Sequence, residues 1–199
     1  MRKLILSMMV SADQYIARPD GDIGWFRTDA DFEQEALALL ESVDCMFFGR
    51  KSYQLLAQYW PMAGTAQSPA TADDFTSKAS EERFATLLNT IPKRVYSRTL
   101  SDASWGPVTI AREVDNDEID RLKCAPGKDL VLFAGASLAT AFAARDLFDE
   151  YRLMIHPILL DKGIRLFGDL GGERPLSLVR TRAFASGVTL LVLARDRVK

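Results

Sequence analysis

The residues best suited to chemistry fall in a few short stretches. Gly49-Arg50-Lys51-Ser52-Tyr53 follows the apolar run Cys45 to Phe48 and opens a helical spacing of apolar residues at Tyr53, Leu56, Ala57 and Trp60. That pattern predicts a strand, a tight turn and a helix start. The first N–H groups of a helix have no partner within it, and the helix dipole adds roughly half a positive charge there. Arg50 and Lys51 oppose that dipole, so helix stability alone does not select them. A bound anion, most simply a phosphate, resolves the conflict. The competing reading is a plain turn with two solvated cations. The spacing fits neither a Walker A loop nor Gly-x-Gly-x-x-Gly.

Ser97-Arg98-Thr99 ends a short strand with a hydroxyl, a cation and a hydroxyl. Such a group suits a phosphate monoester, since Arg binds it in a fork and the hydroxyls donate or accept. An exposed strand end carrying Arg is the plainer alternative. Leu130 to Ala134 followed by Gly135-Ala136-Ser137-Leu138 repeats the strand, turn and helix pattern. Its small residues permit either close approach of a ligand or close helix–sheet packing, and both readings stay open. Asp13 leaves the mouth of an apolar strand; it is a turn residue or, facing a cleft, the acid of a site. Trp25 and Phe26 either anchor a loop or wall a flat heterocycle.

Composition narrows the classes. A chain of 199 residues predicts one domain, 1–199. With 48% hydrophobic and 26% charged residues it can bury one sizeable core. A net charge of −2 offers no nucleic-acid or membrane surface, so an anion site must be a local pocket. One His and two Cys make a His/Cys metal site unpromising, and no metal is expected. Ser7, Ser11 and Asp13 interrupt the apolar start before a signal-peptide core or a membrane span could form, which leaves a cytoplasmic chain as the expectation.

The elements that must position these residues alternate. Residues 2–10 read as a central strand. Phe32, Ala36, Leu39, Leu40 and Val43 keep helical spacing over 29–42. Trp60 to Ser77 reads as a long loop. Ser80 can cap a helix with Glu81 and Glu82 in its first turn, and Asp115 with Glu118 can open another. Tyr151 to Leu160 reads as a strand holding His156 as a core or interface histidine and not a catalytic one. Leu176–Phe184 and Val188–Ala194 form a hairpin about Ala185-Ser186-Gly187. The prediction is an α/β fold with a mixed sheet and helices on both faces.

Together these stretches resemble the dihydrofolate-reductase-like proteins, specifically the reductase domain of the bacterial riboflavin-biosynthesis deaminase-reductase and its free-standing relatives. The resemblance rests on Leu4 to Asp13 with Tyr15-Ile16-Ala17, on Gly49 to Tyr53, on Ser97 to Leu100 after Pro92-Lys93, and on Ala134 to Leu138 through Asp149-Glu150 to His156-Pro157 and Leu166-Phe167. It implies a three-layer α/β/α fold with a mostly parallel sheet of about eight strands and an antiparallel C-terminal hairpin. It further implies an NADPH-dependent reductase acting on a C=N or C=O of a small heterocyclic or phosphoribosyl substrate, as in 5-amino-6-(5-phosphoribosylamino)uracil reduction. By this resemblance Gly49, Arg50, Lys51, Ser52 and Tyr53 hold cofactor phosphate, and Ser97, Arg98 and Thr99 hold the 2′-phosphate. Gly135, Ala136, Ser137 and Leu138 hold the pyrophosphate. Asp13, Gln14 and Trp25 lie on the substrate side, with Asp13 as the catalytic residue, and a homodimer is implied. Gln14 stands where the family frequently has Gly, and Ala134 where the first of a glycine pair is usual, which leaves open whether the Ala134–Gly135 peptide is cis. A non-catalytic nucleotide-binding module on the same fold and a dihydrofolate-type reductase are the alternatives.

Overall fold

The apolar run after Lys3 forms β1, Leu4–Ser11, at the heart of an eight-stranded sheet. The elements that follow are β2 (Tyr15–Ala17), α1 (Ala30–Glu41), β3 (Val43–Gly49), α2 (Arg50–Ala57), α3 (Lys78–Thr90), β4 (Lys93–Tyr96), β5 (Val108–Ala111) and α4 (Asn116–Cys124). Then come β6 (Asp129–Phe133), α5 (Ala136–Ala143), β7 (Glu150–His156), β8 (Ile164–Arg165), β9 (Leu176–Ala183) and β10 (Thr189–Arg195). The structure is a computed structural model that describes residues 1–65, 76–133 and 135–196. Most of the predicted 60–77 loop, and Ala134 with its peptide to Gly135, fall outside those residues.

The sheet order is β5-β4-β3-β6-β1-β7-β10-β9. The first six strands are parallel; β10 runs antiparallel to both β7 and β9. A two-stranded sheet of β2 and β8 stands apart. Because side chains alternate across a strand, β1 feeds two cores. Leu4 and Leu6 pack with Ile119 of α4 and with Ala139 and Phe142 of α5. Ile5 packs with Leu39 and Leu40 of α1 and with Phe84 and Leu88 of α3. This is the mixed three-layer α/β arrangement expected. No helix among the described residues is long and apolar enough to cross a membrane.

The predicted boundaries shift in three places. Ser77, not Ser80, caps α3 by accepting from Ser80 N–H, because the Ser80 hydroxyl is drawn away to the buried Glu33 carboxylate. Asp115 caps α4, but Glu118 pairs with Arg94 at 2.9 Å instead of reaching back to complete a capping box. Strand β7 stops at His156, since Pro157 has no N–H to continue a ladder.

The strand ends opposite the cleft described below are fastened by charge. Lys123 Nζ lies 2.5 Å from Asp149 Oδ2, which also accepts from Leu4 N–H at 2.9 Å. The cation at the start of β4 has no carboxylate partner among the described residues. Lys93 is 2% exposed, donates to Ile91 O at 3.0 Å and sits 4.6 Å from the Trp105 ring centroid. Burial pulls its pKa down to about 8. The unfolded chain keeps this proton up to the ordinary value of 10.5, whereas the folded chain releases it near 8. Between those limits the unfolded state binds more protons, so stability rises with pH. Urea titrations of wild type and Lys93→Met will check this: the variant should be more stable by about 1–2 kcal/mol at pH 7, with the difference shrinking as pH rises from 8 to 10.

Candidate functional site

Parallel strands place all their carboxyl ends at one edge of a sheet, and there a cleft of roughly 940 Å³ opens. The register sets Gly49 of β3 beside Tyr96 of β4, Tyr96 beside Ala111 of β5, and Phe48 of β3 beside Phe133 of β6. The turns that leave these four neighbouring strands therefore line one rim, about 14 Å across at the usual strand spacing. Gly49 to Ser52, Ser97, Arg98 and Gly135 to Leu138 all face the cleft. Three stretches far apart in sequence are thus brought together as anticipated.

Two helices point their starts into this rim, and both lack a side-chain cap. Asp29, Ser77 and Asp115 cap α1, α3 and α4, each followed by an acidic residue in the first turn. Gly49 of α2 and Gly135 of α5 cap nothing, and neither helix carries an acid in its first turn. The glycines are not required by the backbone, since φ is −81° at Gly49 and −72° at Gly135. A Cβ at Gly49 would lie 3.9 Å from Leu138, and one at Gly135 would lie 3.9 Å from Ser52 Oγ. A side chain there would clash with nothing; it would fill the space between the two helix starts. Bare N–H groups, open space and cations together form a cradle for linked phosphates.

The cations divide into braces and free charges. Arg50 donates to Thr99 Oγ1 at 3.2 Å. Arg112 donates to Ser97 O at 2.9 Å and to Leu100 O at 2.7 Å, clamping the 97–100 turn from β5. Ser97 Oγ accepts from Leu100 N–H at 2.9 Å. Lys51 and Arg98 are exposed, line the cleft and have no acidic partner among the described residues. Glu113 is the one carboxylate among the described lining residues. Tyr96 also lines the cleft while 8% exposed, and its hydroxyl has no hydrogen-bond partner among the described residues. Burial pushes that hydroxyl's pKa upward, which keeps it a neutral donor.

Several anticipated residues lie elsewhere. Tyr53 turns inward, its hydroxyl accepting from Trp105 N–H at 2.7 Å, and it packs against Phe48 and Trp105. Thr99 supports Arg50 and does not line the cleft. Asp13 accepts from the Ser11 hydroxyl at 2.6 Å and from the backbone of Leu160 and Asp161 at 3.1 and 2.9 Å. These bonds, the Ser11 hydroxyl first, hold its pKa below the usual carboxylate value, opposite to what a proton relay needs. Gln14 occupies a left-handed turn at φ 70° and presents its carbonyl to Leu166 N–H at 3.1 Å. That conformation explains the family's frequent glycine at this point. Asp13 and Gln14 therefore fasten the first loop to residues 160–166, outside the cleft lining.

Trp25 is 6% exposed and packs edge-on against Phe26 and His156, so it anchors its loop, while the adjacent Phe26 reaches the cleft. His156 is fully buried, accepts from Arg27 N–H at 3.2 Å through Nδ1, and has its pKa lowered by burial to about 4. It is a neutral core histidine, as read from sequence. Arg112 and Glu113 were missed because nothing in the tripeptide Ala111-Arg112-Glu113 distinguishes a cleft rim from a solvated strand end.

Comparison with known proteins agrees with this geometry. A protein attributed to riboflavin biosynthesis from Shewanella sp. PV-4 superposes with TM-score 0.74 at 21% identity, covering 98% of this chain and 99% of its own. The Thermotoga maritima diaminohydroxyphosphoribosylaminopyrimidine deaminase/5-amino-6-(5-phosphoribosylamino)uracil reductase superposes with TM-score 0.66 at 12% identity, over 98% of this chain and 57% of that one. In sequence, the uncharacterized Bacillus subtilis (strain 168) protein YyaP is 35% identical over 191 residues, covering 96% of this chain and 94% of its own. A second uncharacterized protein of that strain, YwjB, is 25% identical over 193 residues, covering 95% of this chain and 96% of its own. The RibD C-terminal domain is matched from residue 2 to residue 190, and the chain accordingly belongs to that family, with its dihydrofolate-reductase-like fold.

Proposed function

We propose that the protein is an NADPH-dependent reductase of a small carbonyl or imine compound. The observation that carries this reading is the pair of uncapped helix starts beside the free Arg98 and Lys51. One helix start would suit any phosphate. Two of them, with a cationic strand end at the same rim, suit a dinucleotide carrying an extra phosphate ester. The residues fit such a group. Lys51, Ser52 and Ser137 would bind the linked phosphates together with the bare N–H groups, and Arg98 with Ser97 the separate phosphate, on a turn held rigid by Arg112 and Arg50. When bound, NADPH would supply a hydride for an acceptor C=N or C=O.

Arg98 is the discriminating residue in this reading. Titration by tryptophan fluorescence should show NADPH binding more tightly than NADH. Arg98→Ala should weaken NADPH by about 10- to 100-fold, the worth of a charged hydrogen bond, with NADH almost unchanged. Undetectable binding of both dinucleotides would end the proposal.

Asp13 acts as a clamp in this proposal, and the proton that follows hydride transfer comes from water. Asp13→Ala should lower the thermal midpoint, because Leu160 and Asp161 N–H lose their acceptor. With any acceptor the wild type reduces, the pH profile of kcat/KM should keep its shape; disappearance of an alkaline limb in the variant would restore Asp13 as the catalytic acid.

The protein acts as a homodimer in the same proposal. Strand β9 ends the sheet order, and Leu178 and Val179 on it are 62% and 56% exposed. An apolar sheet edge of this kind is normally covered. Sedimentation should find paired wild-type chains and single Leu178→Asp chains; a monomeric wild type would exclude pairing.

A further inference from the structure

The two ends of the cleft differ in chemistry. Arg50, Lys51, Arg98 and Arg112 all belong to the turns after β3, β4 and β5. The other end, between β1, β7 and the helices α1 and α3, is lined by Met9, Phe26, Trp60, Phe84 and Met154, while Leu55, one turn after Lys51 on α2, borders the two. Among the described residues this end holds no cation and no carboxylate. The fifth lining cation, Arg145, donates to Ala141 O at 2.8 Å in the chain just after α5. Leu55 remains 49% exposed on α2 although it lines the cleft, an apolar surface that a ligand would cover. The Ser7 hydroxyl, on β1, is a polar group available to orient that ligand.

A phosphorylated sugar at this end would bring a dianion against methionine, leucine and aromatic side chains with no partner charge, which is strongly unfavourable. We infer that the hydride acceptor is an uncharged, planar and largely apolar carbonyl or imine heterocycle, with no phosphoribosyl group. The inference rests on the dinucleotide reading above, which accounts for the cations of the other end. In the reaction the acceptor carbon gains the hydride, its C=O or C=N electron pair moves to the heteroatom, and water supplies the proton there. The reduced nicotinamide is oxidised in the same event.

Calorimetry on the NADP+-loaded protein tests this with three probes: quinoxalin-2-one, and 5-amino-6-ribosylaminouracil with and without its 5′-phosphate. Quinoxalin-2-one should bind at least about tenfold tighter than the phosphorylated compound, and the phosphate should add less than about threefold to affinity. The substitution Leu55→Arg, at an exposed position, should weaken quinoxalin-2-one by about fivefold or more. Failure of quinoxalin-2-one to bind, a tenfold or larger gain from the phosphate, or indifference to Leu55→Arg would each overturn the inference while leaving the dinucleotide reading in place. Failure of NADP+ itself to bind, measured first, would overturn both.

Discussion

Pairing of β3 with β6 is the constraint on which the site depends. These strands are neighbours in the sheet although 79 residues, with two strands and three helices, separate Gly49 at the end of β3 from Asp129 at the start of β6. Their register sets Phe48 beside Phe133, so the turns that follow leave the sheet at the same level. Helices α2 and α5 then begin side by side, with Leu138 near Gly49 and Ser52 near Gly135. Two positive helix ends and the cations beside them repel one another. Among the five described helices the repulsion is confined to these two, since α1, α3 and α4 all begin with a capping side chain and an acid. An arrangement that costs stability at one spot, and is avoided at the other described helix starts, is what supports the proposed dinucleotide site.

Much of this was legible in the residues. Apolar runs gave the strands, and Gly49 and Gly135 at their ends gave the turns. The cations after Gly49 conflicted with the helix they open, and such local conflicts point to function. The strand order was not legible. It depends on which long-range pairs bury both faces of β1, and Leu4, Ile5 and Leu6 look alike on paper although they serve two different cores.

The predicted site residues that do not line the cleft share one reason: a side chain's direction is set by neighbours remote in the chain. Tyr53 follows Ser52 directly, yet one step round a helix turns it from the cleft to the core, where Trp105 N–H awaits its hydroxyl. Trp25 and Phe26 are adjacent and exchange the roles of wall and anchor because His156, 130 residues further on, packs against both. Asp13 leaves β1 at the mouth of the sheet, as expected, but residues 160 and 161 present backbone N–H groups that capture its carboxylate. Arg112 became visible only when β5 came to rest beside β4 and its guanidinium met the 97–100 turn.

Charge is distributed so that stability and binding occupy opposite edges of the sheet. At the strand starts, Arg2 pairs with Asp44, Lys3 with Glu150 and Lys123 with Asp149, and these pairs tie β1, β3, β7 and α4 together. At the carboxyl ends, Lys51 and Arg98 stand in the cleft with Glu113 as the one described carboxylate among its lining. The chain as a whole carries a net charge of −2, so this local excess of cations is not a consequence of composition. Field lines in a cleft with low-dielectric walls are focused, which raises the local concentration of an anionic ligand before any contact forms. The apolar end lacks such a field, so it would recognise a ligand by shape and burial, with the Ser7 hydroxyl as a polar contact. Under the proposed function the cleft would separate two kinds of recognition along its length, one electrostatic and one hydrophobic, for a ligand pair with matching halves.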